Sequence, residues 1–312
     1  MILLLGADGR LGWELRRALA PLGNVIGLGR EADVRRSAVL AEIIGTRGAA
    51  AIVNATAYTD VDGAEGDPET AFAVNAKAPG MIAREAARTG ALLVHFSTDY
   101  VFDGRATEPY TEQDEPAPIN VYGESKLAGE QAIAAAGGPH LTLRTSWLYS
   151  MRRPGFVHTV LQHVREREPL SVVVDHTGSP TWARVLADAT AHALAQLATG
   201  AAFRLDPEAY GVYHVCAGGH ASRYALARAI AELDPLAPPG AAELLRPVPS
   251  HAFPQPAARP AFSALDCSRF AATFGLHLPH WEHELASALE PEAAAMRDTS
   301  ITPPDARIAR LR

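Results

Sequence analysis

The chain has 312 residues, 48% hydrophobic and 20% charged, the make-up of an ordinary globular protein with room for one large α/β domain and a smaller one. Its formal net charge of −7 argues against a nucleic-acid-binding surface, and no apolar run reaches the ~18 residues that span a bilayer. Cys216 and Cys267 stand in no metal or redox spacing, and the opening Met1-Ile2-Leu3-Leu4-Leu5-Gly6 is too short and lacks a basic start for a signal peptide, so a cytoplasmic protein without a disulfide framework is expected.

Residues 2–5 are wholly apolar, as a parallel strand buried on both faces is. They lead into Gly6-Ala7-Asp8-Gly9-Arg10-Leu11-Gly12 and then a helical pattern through Trp13, Leu15, Leu19 and Leu22. Strand, glycine loop and helix in that order predict a dinucleotide-binding turn. The glycines allow a tight bend and close backbone approach, and a diphosphate rests on the helix N-terminus. The second strand, 25–28, ends in Gly29-Arg30, where an NAD-specific protein usually carries an acid for the ribose hydroxyls. Arg30 matches a 2′-phosphate and favours NADPH; Glu31 directly after it leaves NADH open. A third strand over 50–54 runs into Ala55-Thr56-Ala57-Tyr58-Thr59, mostly small residues that let a cofactor pass. A helix is expected over 68–89, with Pro68 near its first turn and Phe72, Val74, Ala78 and Ile82 on its apolar side.

The strand at 92–96 delivers Ser97-Thr98-Asp99-Tyr100, and a loop rich in prolines and acids over 103–121 leads to Tyr122-Gly123-Glu124-Ser125-Lys126. On a helix over 122–135 the Tyr122 phenol and the Lys126 ammonium share one face. A cation about 5 Å away at an effective dielectric of about 20 favours the phenolate by roughly 3 kcal/mol, which would make Tyr122 a usable proton donor to a carbonyl. Thr98 could add a second hydrogen bond to the same oxygen. Of 28 Lys and Arg residues only Lys77 and Lys126 are lysines, so a primary amine at 126 reads as chosen rather than incidental.

Strands alternate with helices up to about 150, after a further strand at 141–143. That is the pattern of a Rossmann-like, doubly wound parallel sheet in a nucleotide-binding domain, 1–150. From 151 to 290 the pattern changes. Helices are expected near 155–167, 182–197, 222–233, 267–274 and 281–289, with short strands at 170–174, 212–215 and 243–248. This half reads as a smaller C-terminal α/β substrate-binding domain that can lend one segment back to the first sheet, followed by a tail, 291–312. His277, His280 and His283 have loose metal-like spacing but are interrupted by Pro279 and read as surface structure.

Gly6-x-x-Gly9-x-x-Gly12-Trp13-Glu14-Leu15, Val53-Asn54-Ala55, Ser97-Thr98-Asp99-Tyr100-Val101-Phe102, Asn120-Val121-Tyr122-Gly123-x-x-Lys126, Arg144-Thr145-Ser146-Trp147 and Ala258-Arg259-Pro260 occur in that order. From Met1 to about Leu289 the chain resembles the dTDP-4-dehydrorhamnose reductase family of extended short-chain dehydrogenase/reductases. The resemblance implies NADPH-dependent reduction of the C4 ketone of a dTDP-4-keto-6-deoxyhexose, giving dTDP-L-rhamnose. It makes Tyr122 the general acid, Lys126 its tuner and the holder of the nicotinamide ribose, and Thr98 the residue that orients the keto oxygen. Asp99 and Trp147 would contact the sugar nucleotide. Gly9, Arg10, Leu11, Asp33, Val34, Ala57, Tyr58 and Thr59 match the family's cofactor contacts. Arg259 has the planar fork that suits the substrate diphosphate.

The family is often described with a magnesium ion held by carboxylates between subunits. Glu14 fits the first carboxylate, but the second position is Arg184, and a cation cannot ligate a cation. A magnesium-bridged dimer is therefore not expected, and monomer and homodimer both remain open. Two other readings compete. Epimerases and 4,6-dehydratases of the same superfamily are similar, but the dehydratases place a glutamate where this chain has Tyr100. A regulatory subunit that binds NADP without turnover, like the relative attached to a methionine adenosyltransferase, has no need of Thr98, Tyr122 and Lys126 together.

Overall fold

The computed structural model describes residues 1–30 and 32–297. Six strands, β1 (Ile2–Leu5), β2 (Val25–Leu28), β3 (Ala51–Asn54), β4 (Leu92–Thr98), β5 (His140–Thr145) and β6 (Gly211–His214), run parallel in the order β6-β5-β4-β3-β1-β2. Alternate strand residues feed two cores, as the pleat requires. Ile2, Leu4, Val53 and Val94 face the helices Arg10–Leu19 and Ala183–Leu197, while Leu3, Leu5, Ile52 and Leu93 face Ser37–Arg47 and Ala78–Thr89. Both faces are covered, so β1 is apolar throughout and the central strands are largely so, and the doubly wound sheet expected from the alternation of elements is present.

The chain steps from β1 outward to β2, then crosses back to β3 on the other side of β1. Strand order reverses there, and the carboxyl ends of β1 and β3 splay around a crevice, the place where such sheets take their ligands. The second half returns one segment to this sheet. Gly211–His214 lies beside β5 with Val212 opposite Thr142. Helix Ala183–Leu197 also belongs to the first core, packing Leu186 and Leu194 against the Leu11, Leu15 and Leu19 face of Arg10–Leu19. A second core joins the helices Phe156–Glu166, Arg223–Leu233 and Trp281–Arg297 around a parallel pair, Leu170–Val173 with Leu245–Val248. The two halves interlock rather than meet at residue 150.

Several details differ from expectation. Helix Ser37–Arg47 was not foreseen; its N-cap Arg36 makes no side-chain bond, so the usual start signal is missing. The single helix expected over 68–89 is broken into Pro68–Phe72, a π turn at Ala73–Lys77 and Ala78–Thr89. The last helix runs past 289 to Arg297, and the rest of the 291–312 tail lies outside the described residues, as does Glu31. Cys216 and Cys267, far apart in sequence, come together as free thiols with their sulfurs 3.3 Å apart. Among the described residues no helix is long and apolar enough to cross a membrane.

Candidate active site

The glycine loop is built for a close-lying ligand. Gly6 has φ +77°, and a Cβ there would lie 2.9 Å from the Ala55 carbonyl carbon; a Cβ at Gly12 would run into the Gly6 oxygen. Helix Arg10–Leu19 begins at Gly9 with no side-chain cap, leaving first-turn N–H groups for an anion. Over this loop lies a cavity of about 450 Å³ bordered by Gly6, Gly9, Arg30, Asp33, Val34 and Ala57. Thr56, from the stretch expected to let a cofactor pass, borders it too, as does Arg153, which was not foreseen. Arg153 donates to the Asp8 carbonyl at 2.6 Å, bringing the 151–155 segment across the loop. Arg30 is exposed at the rim, whereas Asp33 is committed to Arg35 through bonds of 2.9 and 2.7 Å that pull its carboxyl down to about 2. Tyr58 borders neither this cavity nor the next. Its backbone is gripped by the Asn75 carboxamide, N–H to Oδ1 at 2.9 Å and Nδ2 to the carbonyl at 3.0 Å. The residues present fit a dinucleotide with its diphosphate on the loop.

A second cavity of about 520 Å³ continues from the first and brings Gly9, Arg10, Leu11 and Thr59 together with Thr98, Tyr122 and Lys126. Helix Val121–Ala135 is fixed there by its N-cap, Asn120, whose Oδ1 accepts from Gly123 N at 2.8 Å while its Nδ2 donates to Ala258 O at 2.8 Å. The π turn aims Asn75 at the same helix, donating to Ser125 Oγ at 3.0 Å. The Tyr122 phenol and the Thr98 hydroxyl line the same cavity, and Thr98 acts to lower the phenol's pKa. Thr98 Oγ1 in turn donates to Asp99 Oδ1 at 3.1 Å and accepts from Tyr100 N at 3.2 Å.

The electrostatics overturn one expectation. Lys126 is held by groups on β4. Its ammonium donates to Phe96 O at 2.7 Å and lies 3.2 Å from His95 Nε2, all of it buried. Burial lowers Lys126 to about 8, against the pull of Glu130. The Tyr122 phenol is pushed above its ordinary value, first by burial and then by Asp99 and Tyr100, with only the Thr98 bond opposing. Lys126 and Tyr122 share a helix face, as four-residue spacing dictates, and burial is the largest influence on each, raising the phenol and lowering the ammonium.

Asp99 is also placed differently from a plain substrate contact. Its buried carboxylate accepts from Ser263 Oγ at 2.5 Å and Ser146 Oγ at 3.0 Å in addition to Thr98. Burial raises its pKa while the three hydroxyls lower it. Asp99 thus ties the ends of β4 and β5 to residue 263 beneath the site.

Beyond Tyr100 opens a third cavity of about 700 Å³, bordered by Phe156, His176, Arg223 and Arg259. Arg259 is there as expected, but it is engaged with Asp62, Nη1 to Oδ1 at 2.9 Å and Nη2 to Oδ2 at 2.8 Å. Trp147 borders the second cavity at φ +44°, a strained backbone for a bulky residue. Arg223, absent from the expected site, borders both cavities. Nothing in its local sequence marks it beyond the start of a helix.

Glu14 does not fit a magnesium site. Its buried carboxylate receives Arg184 Nε at 3.2 Å and Arg17 Nε at 3.4 Å on the same oxygen. Among the described residues no three His, Cys, Asp or Glu side chains are grouped as metal ligands.

The family described as RmlD substrate binding domain matches residues 1–294. The dTDP-4-dehydrorhamnose reductase of Burkholderia thailandensis is 45% identical over 290 residues, 90% of this chain and 95% of that protein. A solved dTDP-4-dehydrorhamnose reductase of Clostridium acetobutylicum superposes with a TM-score of 0.84 at 31% identity, covering 94% of this chain and 99% of its own. That of Bacillus anthracis, solved in complex with NADP, superposes with a TM-score of 0.83 at 31% identity over 93% and 98% of the two chains.

Proposed function

The chain belongs to the RmlD substrate binding domain family, and on that premise we infer that it reduces the C4 ketone of dTDP-4-dehydrorhamnose, giving dTDP-L-rhamnose, with NADPH as reductant. The nicotinamide, when bound, supplies the hydride to C4. Tyr122 gives its phenolic proton to the keto oxygen, so ketone, hydride and proton together make the alcohol. Thr98 lines the same cavity beside Tyr122, and the two hydroxyls stabilise the developing alkoxide. Lys126, on the same face one turn later, holds the nicotinamide ribose. Arg10, Leu11 and Gly12 present the helix N-terminus to the diphosphate, and Arg30 meets the 2′-phosphate. The second half, with Trp147 and the cavity beyond Tyr100, takes the sugar nucleotide. A nucleotide-sugar substrate fits a cytoplasmic enzyme acting as monomer or homodimer without nucleic acid or membrane.

The observation that carries this reading is the continuity of one cavity from the glycine loop to Tyr122 and Thr98. Holding nicotinamide and ketone in contact there removes much of the entropic part of the barrier. The test is an assay of the keto-sugar with NADPH. Wild type turns over, and Tyr122→Phe loses about 10²- to 10⁴-fold in kcat with NADPH binding intact; full activity in that variant refutes the acid role.

A further inference from the structure

Arg223 opens helix Arg223–Leu233, whose N-cap Ser222 accepts from Ala225 N at 3.0 Å. Its guanidinium stacks 3.5 Å from the centroid of the Trp147 ring and lies 5.2 Å from that of Phe156. The indole rests on Gly178, where an added Cβ would collide with its ring atoms. Trp147 is therefore clamped between a glycine and a guanidinium, which is what holds its strained backbone in place. Tyr100 lines the same two cavities as Arg223. Among the described residues Arg223 makes no ion pair, whereas Arg259 across the cavity is matched by Asp62. Arg223 is half-buried, and a cation partly withdrawn from water without a carboxylate is a ready partner for a ligand that brings negative charge.

Its position says which part of a ligand that is. Arg223 is common to the wall of the cavity holding Tyr122 and Thr98 and to the wall of the larger cavity beyond. A sugar whose C4 oxygen meets Tyr122 and Thr98 fills the inner space, so whatever is attached at its anomeric carbon must pass this junction. In a nucleoside-diphosphate sugar that is the diphosphate.

We propose that Arg223 binds the substrate diphosphate, with Trp147 fixing its guanidinium at the junction, and that Arg259 is a strut on Asp62. The inference rests on the nucleotide-sugar reading above. Arginine's fork matches phosphate oxygens in two-bond geometry, which a lysine cannot reproduce.

Calorimetry with dTDP and with thymidine tests it in wild type, Arg223→Met and Arg223→Lys. The Met variant is expected to lose about 10- to 100-fold in dTDP affinity while thymidine affinity stays within about twofold, the Lys variant falling between. NADPH affinity, unchanged, reports on folding. Thymidine affinity falling in parallel, or dTDP affinity holding, overturns the proposal, because a merely structural role moves both ligands or neither. Should the Met variant fail to bind NADPH, the Lys variant decides by the same ratio. Wild type that turns over the keto-sugar while Arg223→Met keeps its KM sinks this inference alone; wild type that binds no dTDP and turns nothing over sinks the reading beneath it as well.

Discussion

Lys126 Nζ stands 3.2 Å from His95 Nε2 in an arrangement that disfavours the ammonium. Asn54 Oδ1 accepts from Thr56 N at 3.1 Å and Thr56 Oγ1 at 2.6 Å, which turns the Asn54 NH₂ toward His95 Nδ1 at 3.1 Å. A neutral imidazole accepts at only one nitrogen, so the ring proton is assigned to Nε2 and points at Lys126. Burial, with Lys126 beside it, holds His95 well below its ordinary value and therefore neutral.

The pH dependence of turnover follows from this pair. The Tyr122 phenol sits above its ordinary range and keeps its proton through neutral pH, so the alkaline limb of kcat/KM belongs to Lys126. Activity that needs the ammonium declines as pH rises through about 8. In His95→Gln the carboxamide oxygen offers the ammonium an acceptor, and the limb moves to higher pH. A pH–rate series in which it stays put or moves down rules out the assigned ring proton.

Asp99→Ala leaves the hydroxyls of Thr98, Ser146 and Ser263 without their acceptor in a buried place. We expect a loss of about 2–4 kcal/mol in urea unfolding, and a fall in kcat as Thr98 turns away from Tyr122. Ser263→Ala removes a single donor and is expected to cost about 1 kcal/mol with kcat near wild type. If Asp99→Ala unfolds like wild type but binds substrate poorly, Asp99 is a substrate contact rather than an anchor.

Arg30 is exposed at the rim of the loop cavity, with Asp33 already taken by Arg35. Arg30→Ala should raise the KM for NADPH about 10-fold and leave that for NADH nearly unchanged, because only the former carries a 2′-phosphate. Equal effects on both cofactors would place the 2′-phosphate elsewhere.

Glu284 is buried, accepts from Trp182 N at 2.8 Å through one oxygen and has no partner for the other. Burial raises its pKa from 4.5 to about 8. An acid whose folded pKa is raised contributes stability fully below its unfolded value and loses it as pH climbs to the folded one, here between 4.5 and about 8. Glu284→Gln keeps the shape and removes the titration. Its urea midpoint should vary less than wild type over this window and lie above it at pH 8–9, by a few kcal/mol at most. Parallel curves for the two proteins would show that Glu284 ionises freely.

The parts of the molecule readable in advance are those set by neighbours in sequence. Ile2–Leu5 declares a twice-buried strand, the glycines after it need their missing Cβ atoms, and Tyr122 and Lys126 face one way because a helix turns once in about four residues. What stayed hidden depends on distant partners. Arg223 meets Trp147 from the start of another helix, Arg259 finds Asp62 from 197 residues away, and Lys126 meets a carbonyl and a histidine on β4. Residue type and spacing name the actors here; only three-dimensional neighbours decide which bonds they keep.

Because Gly211–His214 seals the open edge of β5, and Ala183–Leu197 roofs one side of the same sheet, a ribosome must release some sixty residues beyond the fifth strand before that edge is covered. Until then a row of unsatisfied amides and carbonyls is presented to any passing chain. A fragment ending near 150 would carry the whole glycine loop and the Tyr–Lys pair yet behave as sticky, half-finished material. About two thirds of the chain must be made before that edge is closed.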